Sequence, residues 1–193
     1  MTVAPTPLAG EDYRPAQIRV LDAAAELFAQ HGVGGTSLQM IADALGVTKG
    51  AIYFQFKSKD EVVLAVAEAE LARLEAALTT AEAEPTRARA RAMLVIEIVD
   101  LAVESRRRAG TLLSEPVIVG HFAHHQPFRQ VMDRLYRLLA GDDPTPEARL
   151  RAAMLTAALA GAATHPLATE LDDDTLRSEL RNIATSVLHI DPR

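Results

Sequence analysis

Between Ala44 and Lys59 the chain reads ALGVTKGAIYFQFKSK, a stretch with three lysines (Lys49, Lys57, Lys59) and no acid. Ammonium groups, hydroxyls (Thr48, Tyr53) and an amide (Gln55) in one short window are the side chains that engage phosphodiester oxygens and base edges. Gly50 lies inside the same window. In a helix it costs about 1 kcal/mol relative to alanine, a cost that is offset where a backbone must come close to another surface. Just upstream, Thr36 and Ser37 add two more hydroxyls. The candidate nucleic-acid contacts are therefore Thr36, Ser37, Thr48, Lys49, Gly50, Tyr53, Phe54, Gln55, Lys57 and Lys59. Phe54 cannot donate to phosphate, and its expected role is apolar contact with a sugar or a thymine methyl.

Two other clusters could do chemistry. His121, His124 and His125 raise the question of a metal, because residues four apart share a face if the segment is helical. No third ligand can be named from the sequence, Glu115 being six residues from His121. A pocket-lining or surface cluster is the plainer account, and no metal or cofactor is expected. Glu97 and Asp100 could form an acid/base pair, but helical spacing produces such neighbours often. They read as a solvent stripe or as polar groups of a ligand pocket. There is no Cys, so thiolate ligands and Cys nucleophiles are excluded. No nucleophile elbow, phosphate loop or triad order is visible, and an enzyme is not expected.

The elements that must position these residues are helical. The chain has 193 residues, of which 49% are hydrophobic and only 4% aromatic, with a net charge of −6. Such a balance argues against a general nucleic-acid coat, yet permits a small basic face on an acidic body. Ile18, Leu21, Ala25 and Phe28 predict a helix from Pro15 to Gln30, stopped at His31-Gly32. Thr36 as N-cap with Gln39 three residues on predicts a capping box and a short helix to Leu45. Gly46-Val47 forms a turn, Thr48 caps a helix over 49–55, and Ser58 with Glu61 opens a long one. A helix over 86–108 carries apolar residues around most of its circumference and must be largely buried. Another begins at Pro127. Thr145-Pro146 starts a helix with two apolar faces, Leu150, Met154 and Ala157 on one and Leu155 and Leu159 on the other. A last helix carries Leu176, Leu180, Ile183, Val187 and Ile190.

A sharp turn between two short helices needs an apolar and a small residue before it, glycine at it and branched residues after it. Ile41, Ala42, Gly46, Val47 and Ile52 supply these in order, which predicts a helix-turn-helix whose second helix presents Thr48, Lys49, Gly50 and Tyr53 to a major groove. An ordinary helical pair with a chance glycine would not carry the caps and the following lysines as well.

From Ile18 to about Val66, in the runs AAAELFAQHG, TSLQMIADALGVTKGAIYFQF and KSKDEVV, the chain resembles the TetR (tetracycline-repressor-like) family. The resemblance implies a fold that is all-α, with an N-terminal three-helix DNA-binding domain and a C-terminal domain of about six helices for ligand binding and dimerisation. Carried over by position, it makes Ser37, Thr48, Lys49, Gly50, Tyr53 and Lys59 DNA contacts. Many members carry His or another polar aromatic after the tyrosine, where this chain has Phe54.

The expected organisation is a disordered arm (1–14), a helix-turn-helix domain (15–58) and a ligand-binding and dimerisation domain (59–193). The expected function is a ligand-responsive transcription regulator, a repressor as most members are. It would bind a palindromic double-stranded DNA operator as a homodimer and be released by a small-molecule effector. The expected pocket draws on Met93, Glu97, Asp100, Phe122, His125, Met132 and Tyr136. The expected dimer interface draws on Leu150, Met154, Leu155, Ala158, Leu159, Leu180, Ile183 and Val187. No run approaches the roughly 18–20 apolar residues that span a bilayer, so no membrane partner and a cytoplasmic location are expected. Two other readings stay open: a metal-dependent enzyme built on His121 and His125, and a helical scaffold whose DNA-binding head has degenerated.

Overall fold

The computed structural model describes residues 13–106, 118, 120–122, 125–141, 144–163 and 165–190. Most of the expected arm, the segment around Glu115, and His124 lie outside the described residues. Among those described there are eight α-helices and no strand: α1 (Pro15–Gly35), α2 (Leu38–Leu45), α3 (Lys49–Gln55), α4 (Lys59–Glu82), α5 (Arg87–Ser105), α6 (Gln126–Ala140), α7 (Pro146–Ala162) and α8 (Asp173–Leu188). Among the described residues a 3-10 turn, Pro166–Ala168, precedes α8. The all-α expectation is met, and among the described residues no helix is long and apolar enough to cross a membrane.

The described residues divide into two compact units, one drawn from 1–72 and 107–129 and the other from 73–106 and 130–193. In the first, α1 offers Val20, Leu21, Ala24, Ala25 and Phe28 at helical spacing, all buried. α1 packs against α2 and α3, and Leu38, Ile41 and Ala42 of α2, Ile52 and Phe56 at α3, and Val62, Val63 and Val66 of α4 are buried in the same unit. Each large side chain so buried contributes about 1.5–3 kcal/mol. The first helix does not end where periodicity stops. Gly32 takes φ 70° and ψ 164° and breaks it, after which one further turn reaches Gly35. Positive φ is tolerated by glycine alone without strain, so His31-Gly32 marks the kink.

The cap of α2 is corrected by one residue. Ser37, not Thr36, is the N-cap, its Oγ accepting from the Met40 amide at 3.2 Å. Thr36 is buried, and its hydroxyl is shared between the carbonyls of Gly32 (2.9 Å) and Leu27 (3.1 Å). Gln39 makes no capping box but donates to Asp43 one turn on, at 2.7 Å. At α4, Ser58 Oγ accepts from the Glu61 amide (3.1 Å), while the Glu61 carboxylate accepts from the Lys57 amide (2.6 Å) rather than from Ser58.

In the second unit α5 packs against α7 and α8. Leu94, Val95, Val99 and Val103 of α5 are buried with Leu155 and Leu159 of α7 and Leu176, Leu180, Ala184 and Leu188 of α8. The α8 stripe therefore runs every fourth residue, and Ile183, expected in the stripe, faces outward. Thr145, Thr86 and Asp172 cap their helices by accepting from the Ala148, Arg89 and Thr175 amides. Charge ties the helices together. Asp100 of α5 accepts from Arg177 Nε at 2.7 Å and from Arg181 Nη2 at 2.8 Å. Arg134 of α6 holds Glu82 at 2.8 Å and Glu75 at 3.1 Å.

Candidate nucleic-acid interface

The turn between α2 and α3 is set by Gly46 at φ 63° and ψ 33°, left-handed backbone that would strain an L side chain by about 1–2 kcal/mol. The amides of Gly46 and Val47 close back on the carbonyls of Asp43 (3.1 Å) and Ala42 (3.0 Å). Ala42 is fully buried, and its small side chain lets the two helices approach. Thr48 caps α3, its Oγ1 accepting from the Ala51 amide at 3.3 Å.

Seven residues of α3 then sort by face. Ile52 points into the unit, and Phe56 follows it into the core. Thr48, Lys49, Gly50 and Ala51 are exposed. Tyr53 is 48% exposed and Phe54 78%. Lys49 Nζ lies 5.8 Å from the centroid of the Tyr53 ring, a cation–π contact that props the two side chains on one face. A Cβ built on Gly50 would meet nothing closer than Thr48 Oγ1 at 3.8 Å. Among the described residues nothing thus requires glycine there.

The rest of the expected set divides. Ser37 and Lys57 are exposed, and Lys59 is half-buried at the first position of α4. Asp60 and Glu61 occupy the same first turn, and Glu61 already accepts from the Lys57 amide, so this helix start is partly neutralised from within. Gln55 is half-buried, and its Oε1 is shielded from solvent without a hydrogen-bond partner. Thr36 is a correction. Its burial and its two carbonyl partners make it a positioning residue for α2 rather than a DNA contact.

The expected pocket residues fall into both units and are described within each. In the second, Met93, Glu97 and Met132 are half-buried and Tyr136 is exposed. Asp100 is already neutralised by Arg177 and Arg181. In the first, Phe122 stacks on Phe128 with centroids 4.7 Å apart and planes 3° apart. His125 lies against Phe122 (5.6 Å) and His121 (4.9 Å). Burial first, and the nearby His121 second, hold His125 below the usual imidazole range, with Glu68 opposing. Sequence reasoning found no third partner for these histidines. The structure supplies one in Glu68 of α4, whose Oε1 is 3.3 Å from His121 Nε2.

The expected interface residues also separate by face. Leu150 (63% exposed), Met154 (69%) and Ile183 (57%) stand in solvent, with Ala158 exposed beside them and Val187 half-buried. Leu155, Leu159 and Leu180 are a correction, because they are buried in the core of their own unit and cannot also face a partner.

Residues 20–66 match the family model described as bacterial regulatory proteins, tetR family. Over 59 residues the chain is 46% identical to the HTH-type transcriptional regulator AcrR of Shigella flexneri, covering 29% of this chain and 27% of that protein. Over 43 residues it is 49% identical to a protein of Escherichia coli K12 described as probable acrEF/envCD operon repressor, covering 22% and 20%. The matched stretch thus spans about a quarter of the length of these relatives. The fold is similar along nearly the whole chain to that of the ketosteroid transcriptional regulator KstR2 of Mycobacterium tuberculosis, with a TM-score of 0.69 at 17% identity over 95% of this chain and 97% of that one.

Proposed function

We propose that this chain, whose N-terminal residues 20–66 are of the TetR family, is a transcription regulator that binds an operator as a homodimer and responds to a small molecule. One observation carries the DNA-binding part. The α3 helix turns Thr48, Lys49, Gly50, Tyr53 and Phe54 outward while Ile52 anchors it. That face combines phosphate donors, base-reading side chains and a glycine that nothing among the described residues demands. Ser37, exposed at the start of α2, adds a hydroxyl.

The outer face of α7, with Leu150 and Met154, and Ile183 on α8 supports a second copy as partner, since apolar side chains in such number on neighbouring helices are costly to leave in water. Two copies related by a two-fold axis would present two α3 helices to half-sites one helical turn apart, roughly 34–36 Å. The effector is proposed to bind the body of the protein and to favour a different spacing. It would do so only through its differential affinity for the two arrangements, about 1–3 kcal/mol in typical cases. Repression is the proposed sign, in keeping with the operon repressor that the N-terminal segment resembles.

The test is selection from random duplex DNA with the purified chain at two salt concentrations. Enrichment of an inverted repeat is expected. Weak, salt-sensitive binding with no enriched sequence would overturn the reading.

A further inference from the structure

Three side chains distant in sequence converge in the first unit. The ligating atoms of Glu68, His121 and His125 all lie within 4.8 Å of one another. His121 Nε2 and His125 Nδ1 are both cut off from solvent, and neither has a hydrogen-bond partner. An ordinary Glu–His ion pair would account for His121, whose Nε2 is 3.3 Å from Glu68 Oε1. It leaves His125 unexplained. A polar atom buried without a partner is costly, and such groups in a fold commonly mark a bound ion or water.

We propose that Glu68, His121 and His125 form a binding site for one divalent transition-metal ion of the zinc class, with a fourth coordination position open. The donor set decides the class. Two imidazoles and one carboxylate suit zinc, cobalt or nickel, whereas magnesium and calcium require oxygen ligands. Zinc takes nitrogen at about 2.0–2.1 Å and carboxylate oxygen at about 2.0–2.2 Å. Tetrahedral donors then sit about 3.3–3.5 Å apart, so the present spacing needs closure of up to about 1.5 Å by side-chain rotation. Glu68 and His121 keep 22% and 31% of their side-chain surface exposed, which gives an ion a way in. Phe122, packed 5.5 Å from His121 and 5.6 Å from His125, walls the other side with apolar surface. That wall lowers the local dielectric and strengthens the ion's hold. A bound ion would tie His121 and His125 to α4, the helix that begins at Lys59. The site stands on these contacts alone and does not depend on DNA binding.

The test uses the full, untagged chain after dialysis against a chelator. Cobalt(II) is titrated and followed by its visible ligand-field absorption, and zinc affinity is read by competition with a chromophoric chelator. One ion per chain is expected, with magnesium failing to compete. His121→Ala and His125→Ala are each expected to weaken binding by more than about 100-fold and Glu68→Gln by about 10- to 100-fold. His165→Ala, a change at the cap of the 3-10 turn, is expected to leave binding unchanged. Zinc should raise the melting temperature of the parent chain and not that of His121→Ala/His125→Ala. A cooperative melt of the metal-free double variant is the expected result, and it separates lost ligation from lost folding. Absence of stoichiometric binding, or binding that survives the double substitution, would overturn the proposal.

Discussion

Replacing Gly50 with alanine sets the two halves of its role against each other. The added Cβ meets only Thr48 Oγ1 at 3.8 Å, an ordinary van der Waals contact, and φ at Gly50 is not positive. The fold therefore accepts alanine without strain, and helix propensity favours it by up to about 1 kcal/mol. For a chain of this size that corresponds to a rise in Tm of about 2–4 °C. On the outward face the same methyl stands between the α3 backbone and the groove. Loss of one close contact costs about 1–3 kcal/mol, or about 5- to 150-fold in Kd. Circular dichroism melts and fluorescence anisotropy on the selected duplex read the two effects separately. A more stable protein that binds DNA less well is the expected pair of results. Unchanged affinity with a higher Tm would refute the argument that close approach explains the glycine. A lower Tm would refute the open geometry around it.

Lys59→Ala should weaken binding to all sequences alike and reduce the slope of log K against log salt by about one unit; an unchanged slope in a salt titration would remove the α4 N-terminus from the interface. Met154→Glu places a charge on the exposed α7 face and should shift sedimentation from dimer to monomer with helicity intact, and an unshifted dimer would place the interface elsewhere. Asp172 caps α8 through the Thr175 amide and hydroxyl, and these bonds hold its carboxyl below the usual range. A depressed carboxylate stabilises the fold above its unfolded pKa and ceases to do so as pH falls through the folded one. The Tm gap between the parent chain and Asp172→Ala should therefore be open at neutral pH and close in acid below the ordinary aspartate pKa. A gap that persists at the acid end would mean that the charge is not what caps the helix.

Local chemistry made most of the first unit legible. The period of Leu21, Ala25 and Phe28, the glycine turn at Gly46 and the cap at Thr48 each act within a few residues, through hydrogen bonds and steric limits that neighbours in sequence dictate. The same holds for Thr145-Pro146 and for the two faces of α7. The α3 face was readable because Ile52 alone fixes which side is inside, and 3.6 residues per turn fix the rest.

What the sequence left open was decided by contacts between distant segments. Thr36 and Ser37 are equal as caps by composition, and only the carbonyls of Leu27 and Gly32 draw Thr36 inward and hand the cap to Ser37. Leu180 and Ile183 look alike on a wheel of α8, until packing on α5 and α7 buries the first and exposes the second. Asp100 reads as a pocket carboxylate until Arg177 and Arg181 reach it from α8. Glu68 carries no signal of its own, and only the tertiary fold sets it beside His121 and His125. Periodicity and capping are properties of a few consecutive residues. The meeting of side chains from separate helices is a property of the packed core, and no local pattern encodes it.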